Sequence, residues 1–362
     1  MGLEIKRSKN LPIGVDLGSD RLKMAQLRTS EGRYELLGAG AADVPREYLD
    51  DPATRFDFLS ERIHHILKGD NFKGRKAVLS LPASAVFLQP IKIPIVPAKE
   101  VDGTVKGELH DKLPYPVKDA VIRHILAGTL YSDGQEIQER IVVSVPRSEL
   151  QAHLAMAQRG GLEVVGMNVE ACAVVECFAR LFRRVSDESR VTLFIDIGAA
   201  STQVVLAHGW KMAFARNLPV GGHTLDQTVA EALQTSIEQA HCIHQKLLTA
   251  DGEGPAEEEL FRLFDVKIAE IADDITQCRR YCESFFRNRA IERVIFVGGQ
   301  AHNKRLCQSI AERLELPAQV GDPMIGIKRL EQPGQAVALP AGTPQPAWAV
   351  AIGLSLGAAL AA

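Results

Sequence analysis

LPIGVDLGSDRLKMAQL, residues 11–27, is the stretch on which the reading of this chain turns. An apolar run meets Asp16, crosses Gly18 and Ser19, and passes into a second apolar run that carries Lys23. Asp, Gly and Ser are ordinary turn residues, so a tight hairpin accounts for the letters. A phosphate cradle accounts for them equally, with Gly18 letting backbone N–H groups approach an anion. Taken alone, the stretch leaves both open.

The same pattern returns half a chain later. LFIDIGAASTQVVLAHG, residues 193–209, again runs from an apolar strand through Asp196 and Gly198 to small hydroxyl residues, Ser201 and Thr202, and a second strand. Two such units predict a duplicated α/β fold whose halves face one another across a cleft. A third glycine turn lies in ERVIFVGGQAHNKRLCQSIAERLEL, residues 292–316. There a β-rich run breaks at Gly298-Gly299, and a helix with Leu306, Ile310 and Leu314 on one stripe follows. A Gly pair before a helix is a place where a flat ring or an anion can reach the backbone. It is not GxGxxG, and a dinucleotide fold is not read from it.

Bulk properties narrow the class. A chain of 362 residues predicts two or more subdomains, and 46% hydrophobic with 24% charged residues is a globular composition. A net charge of -3 with scattered basic residues argues against nucleic acid as a partner. The opening MGLEIKRSKN has no apolar stretch of a secretory signal, and Lys6 breaks the myristoylation pattern. The six cysteines suggest no disulfide framework. His241, Cys242 and His244, with Cys278 and Cys282 further on, lack the usual zinc spacing and read as helix residues. The C-terminal AWAVAIGLSLGAALAA is 16 residues long, shorter than the roughly 20 a membrane span needs, and its small residues favour a tightly packed core helix. The expectation is a reduced, cytoplasmic protein with no span of its own.

Three glycine turns, two led by Asp, in a duplicated α/β chain resemble the actin/Hsp70/sugar-kinase superfamily, the actin-like ATPase (ribonuclease H-like) fold with an inserted subdomain in each half. That resemblance implies ATP with Mg²⁺ between the two hairpins. It assigns Asp16, Gly18, Ser19 and Lys23 to the first phosphate hairpin and Asp196, Gly198, Ser201 and Thr202 to the second. Gly298, Gly299 and Gln300 would meet the adenosine, and Asp16 and Asp196 would hold Mg²⁺ through water. Within the superfamily the chain is most similar to the PilM family of type IV pilus assembly. KAVLSLPASAVFLQPIKIP and KLPYPVKDAV resemble that family's inserted subdomain, and RGGLEVVGMNVEACAVV the strand-to-helix return. ARNLPVGGHTLDQTVA resembles its Gly-Gly loop, with Gly221 and Gly222 toward the nucleotide, and PAWAVAIGLSLG its closing helix.

Glu170, in NVEACAVV, falls where hydrolases of the superfamily place a carboxylate near the metal or attacking water; a helix-start Glu favoured by the dipole explains it as well. Two departures stand out. EQAHCIHQK puts His241 and His244 where the family carries a Glu and a Lys facing the nucleoside, and Arg123 stands where it often has an acid. The division expected is a first core over 1–86, completed by 159–186 and 347–362, and an inserted α/β subdomain over 87–158. A second core covers 187–224, completed by 290–330, and a helical subdomain covers 225–289.

The function implied is a nucleotide-binding platform recruited to the inner face of the inner membrane. It would take the cytoplasmic N-terminal tail of a PilN-like membrane protein beside residues 87–158, among other pilus assembly proteins, with self-association also open. The alternatives are a small-molecule kinase or phosphohydrolase on the same fold, which needs a placed general base, and a filament former of the FtsA kind.

Overall fold

A computed structural model describes residues 8–69, 71–132, 134–182, 188, 190–249, 254–285, 290–329, 339–340 and 342–360. Strands β1 (Lys9–Leu17), β2 (Arg21–Ser30) and β3 (Arg33–Asp43) form an antiparallel meander. Helix α1 (Pro52–Gly69) then returns the chain, so that β4 (Lys76–Leu81) pairs parallel with β1. A separate antiparallel sheet follows, built from β5 (Phe87–Pro94), β6 (Ala120–Ser132) and β7 (Gln135–Pro146) in the order β5-β7-β6, with α2 (Val101–Glu108) packed on it. Helix α3 (Arg147–Arg159) leads to β8 (Glu163–Val169), parallel to β4, and α4 (Glu170–Ala179) closes the first half.

The second half repeats the plan. β9 (Val191–Ile197), β10 (Thr202–His208) and β11 (Lys211–Leu218) form a second meander. Four helices come next: α5 (Gly222–Leu233), α6 (Ile237–Thr249), α7 (Pro255–Arg262) and α8 (Asp265–Phe285). β12 (Arg293–Val297) pairs parallel with β9, and α9 (Lys304–Leu314) leads to β13 (Ala318–Val320), parallel to β12. Last come β14 (Ile327–Arg329) and α10 (Ala349–Leu360). The run β3-β2-β1-β4-β8 in one sheet is matched by β11-β10-β9-β12-β13 in the other. The duplication expected from the paired Asp-Gly turns is present strand for strand.

Two segments lie elsewhere than the sequence division put them. β14 falls within 290–330 but pairs with β3 in the first sheet, with Ile327 opposite Tyr34. Met324 and Ile327 bury there, so the free edge of β3 captures a segment that short-range patterning cannot assign. Helix α3, expected in the inserted subdomain, packs on α1 of the first core. Its Met156 and Ala157 share a core with Leu59 and Ile63, and the Ser60 hydroxyl donates to the Met156 carbonyl at 2.9 Å. The inserted unit therefore ends at the close of β7, with its own small core of Ile91, Ile93, Val101, Val105, Leu109 and Val142.

Helices α4 and α10 lie between the two large sheets and carry the shared core, where Phe178 of α4 stacks on Phe194 of β9 at 5.4 Å. Glycine permits the closest approaches. A Cβ on Gly14 of β1 would stand 1.9 Å from the Ala351 carbonyl oxygen of α10, and one on Gly353 of α10 1.9 Å from that of Ala173 in α4. The apolar C-terminal stretch is thus a core helix held by backbone contact. Among the described residues, no helix is long and apolar enough to cross a membrane.

Candidate functional site

The two Asp-led hairpins are built on the same register. In the first, Asp16 lies directly across from Lys23; in the second, Asp196 lies directly across from Gln203, at the same spacing along the chain. Antiparallel neighbours on one face bring their side chains together, yet the two pairs are used differently. Lys23 Nζ donates to Asp16 Oδ2 at 2.8 Å, in a pair almost wholly buried. Gln203 instead donates its amide to Glu170 at the start of α4, tying the second hairpin to the first half. Glu170 so has a hydrogen-bonded place in the cleft.

Carboxylates crowd here. Burial pushes Asp196 up to about 7, the charge of Asp16 adds to this, and Lys23 only partly offsets it. Glu170 is raised well above the usual carboxylate range, first by burial and then by Asp16 and Asp196. The negative charge of Asp16 thus opposes ionisation of both Asp196 and Glu170. Burial also leaves two amide oxygens, Gln203 Oε1 and Gln300 Oε1, with no hydrogen-bond partner. The cleft is thus rich in acceptors and short of donors.

The glycine turns close round this point. Gly298 has φ +90°, a conformation that favours glycine, and a Cβ there would stand 2.3 Å from Asp196 Oδ1. Gly299 faces open space. Gly221 and Gly222 lie against the second hairpin. The Gly222 N–H donates to the Gly198 carbonyl at 3.0 Å, the His223 N–H to the Ala199 carbonyl at 2.8 Å, and the Thr202 hydroxyl to the Val220 carbonyl at 2.7 Å. A Cβ on Gly222 would stand 2.4 Å from Gln300 Nε2, so the Gly-Gly loop also meets the third turn. Ser19 and Gly18 are held from outside, their carbonyls accepting from the Arg55 guanidinium of α1 at 3.1 and 2.8 Å. Ser201 is partly exposed, and its carbonyl accepts from the Gly198 N–H at 2.9 Å.

Several residues that shape this cleft were not visible in the sequence. Gln203 and Arg55 carry no motif, and only the hairpin register and the docking of α1 reveal them. His241 and His244 do not stand free toward a ligand. Each directs Nδ1 at Asp226 of α5, at 2.9 and 2.6 Å. Arg46, from the turn after β3, reaches the same carboxylate from the other half. Asp20 beside Ser19 meets His223 at 2.5 Å, again between halves. Among the described residues, no group of three or more His, Cys, Asp or Glu side chains is arranged to hold a metal ion directly.

The family model described as Type IV pilus assembly protein PilM matches residues 14–359. Among solved structures, a PilM-PilN type IV pilus biogenesis complex is similar at 21% identity and TM-score 0.77, over 96% of this chain and 98% of that one. The ethanolamine utilization protein EutJ from Carboxydothermus hydrogenoformans follows at 13% identity and TM-score 0.55, covering 98% of this chain and 92% of its own. MreB5 of Spiroplasma citri, bound to ADP, has 11% identity and TM-score 0.51, over 96% and 95%. These likenesses carry the actin-like fold expected from the glycine turns. With a family match over nearly the whole chain, and two like sheets meeting at paired Asp hairpins, the chain belongs to the PilM family of type IV pilus assembly proteins.

Proposed function

We propose that the cleft binds ATP with Mg²⁺, and that the loaded chain is a cytoplasmic platform docking the tail of a PilN-like inner-membrane protein. The observation that carries the nucleotide part is the crowd of acceptors between the hairpins. Burial and the charge of Asp16 oppose ionisation of Asp196 and Glu170, Lys23 is the offsetting cation, and two buried amide oxygens lack donors. A hydrated cation suits that surplus, because Mg²⁺ keeps waters that donate hydrogen bonds while its charge relieves the acids. Asp16 and Asp196 would hold it through water, Lys23, Ser19, Ser201 and Thr202 line the phosphate side, and the open face of Gly299 suits the nucleoside. Bound Mg²⁺ would supply charge neutralisation for the phosphates. MreB5, of like fold, is described with ADP, which is in keeping with this reading.

Binding is favoured over rapid turnover. Glu170, the candidate base, is already engaged by the Gln203 amide, which leaves it less available to take a proton from an attacking water. The docking part draws on the PilM-PilN complex and on β6, which lies at one edge of its sheet with Ile125 and Leu126 exposed. An exposed strand edge can add an extended peptide through backbone hydrogen bonds.

Thermal unfolding with and without millimolar Mg-ATP tests the nucleotide part. A ligand at 100 times its Kd stabilises by about 2.7 kcal/mol, so the wild type should melt several degrees higher. Asp196→Asn should remain folded and lose the response. A wild type unmoved by any nucleotide would end this reading.

A further inference from the structure

We infer that Arg46 and Asp226 form a clasp that holds the two halves closed over the cleft, and that its opening governs nucleotide exchange; the second clause rests on the nucleotide reading above. The Asp226 side chain is 1% exposed, on the first turns of α5. From its own half it receives two imidazoles of α6, His241 Nδ1 on Oδ2 and His244 Nδ1 on Oδ1. A carboxylate only accepts, so His244 Nδ1 carries the hydrogen, while His241 Nδ1 also lies 3.1 Å from Arg46 Nη2 inside the same cluster. For His244 this leaves Nε2 buried and without a partner, the ring edge-on to Phe264 at 5.3 Å. Burial alone would raise Asp226, but the hydrogen bonds from His244, His241 and Arg46 outweigh it and hold the carboxyl down at about 2.

The side chains ion-paired with Asp226 among the described residues are these two histidines and Arg46, and only Arg46 carries a permanent charge. Arg46 lies in the short 3-10 turn Arg46–Tyr48 of the first half, with its side chain 28% exposed. A buried carboxylate deprived of its cation is costly. Separating the halves would therefore strand Asp226 in its histidine socket, and that cost favours closure. A second bridge lies on the same face. His223 and Asp226 are three residues apart on α5, hence neighbours on the helix surface, and His223 meets Asp20 at 2.5 Å. One face of α5 thus presents a donor and an acceptor to complementary groups of the opposite half.

The clasp is coupled to the phosphate side by backbone. α5 starts at the Gly-Gly loop, whose Gly222 and His223 N–H groups bond the second hairpin's carbonyls. Asp20 lies in the turn of the first hairpin. Opening at Arg46 would move α5 and the second hairpin together, away from the first. By the family resemblance His241 and His244 replace a Glu and a Lys that face the nucleoside; in this chain both imidazoles hold the acceptor of the clasp.

Two measurements on the full chain test it. Spectroscopic labels placed by amber suppression at exposed Glu61 of α1 and Glu231 of α5 report the distance between halves without nucleotide. Arg46→Ala should lengthen and broaden that distance, with Arg46→Lys retaining part of the closed population. Asp226→Asn removes the charge without stranding it and should open the cleft likewise, which guards against a variant that merely unfolds. An unchanged distance in folded Arg46→Ala and Asp226→Asn overturns the clasp. The second measurement is release of a fluorescent ATP analogue, expected to quicken at least about tenfold in Arg46→Ala, a loss of roughly 1.4 kcal/mol of closure. A longer distance with unchanged release overturns the role in exchange. A wild type that binds no analogue ends the nucleotide reading, while the distance measurement still decides the clasp.

Discussion

Asp196 shows how a single carboxyl links this fold to its chemistry. Held at about 7 by burial and by Asp16, it prefers its proton in the folded chain, whereas unfolded it titrates near the ordinary value of 3.8. The folded state then binds the extra proton between those values, so the stability that Asp196 contributes is full below about pH 4 and is lost as pH rises through about 7. Without Mg²⁺, Asp196→Asn should abolish this part of the slope and melt a few degrees above wild type at pH 8, with the difference shrinking toward pH 5. Thermal melts across that range check it; a variant parallel to wild type at every pH would show that Asp196 ionises freely. Asp16 has a cation for a partner, Lys23 Nζ at 2.8 Å. The two Asp residues look alike in the sequence. What separates them is the cross-strand neighbour, Lys23 in one hairpin and Gln203 in the other, and where that neighbour turns.

At the scale of elements, α10 is the central strut. Its small residues let it lie on β1 at Gly14 and on α4 at Gly353, at distances that admit no side chain. The turn leading into it accepts the Gly298 N–H on the Pro346 carbonyl at 3.1 Å, which joins the strut to the third glycine turn. Gly353→Val should force α10 away from α4 and cost about 1–3 kcal/mol or more, the range of an overpacked core. Chemical denaturation measures it. A loss below about 1 kcal/mol would mean that α4 and α10 can repack at this point. Composition alone marked the stretch as a packed helix, since Gly, Ala and Ser suit close backbone approach. Its partners on either side could not be read, because both lie far away in the chain.

For the whole molecule, the duplication produces a cleft and the insertion adds a sheet with an exposed edge strand. β6 extends over 13 residues at the edge of its sheet, with Ile125 and Leu126 exposed. In the full chain, Leu126→Glu should weaken binding of a PilN-like tail peptide at least about tenfold, since a buried interface carboxylate without a partner is disfavoured. The nucleotide-induced thermal shift should be unchanged. Fluorescence anisotropy with the labelled peptide reads the first and melting the second; equal affinity would place the tail elsewhere. A truncation test must spare α3. Removing 147–158 would strip Met156 and Ala157 from the first core and confound docking with unfolding.

By itself the sequence determined the duplicated α/β plan, the two Asp hairpins, the Gly-Gly turns and the core helix at the end, because each is written in local chemistry. A strand that ends on Asp before Gly, or a stripe such as Leu306, Ile310 and Leu314, records a constraint satisfied within a few residues. Only the tertiary structure decided that β14 completes the first sheet, that α3 belongs to the core, and that Gln203 holds Glu170. It alone turned His241 and His244 onto Asp226 and brought Arg46 to meet them. These are agreements between surfaces distant in the chain, and a free strand edge or a buried charge selects its partner by what folding brings within reach.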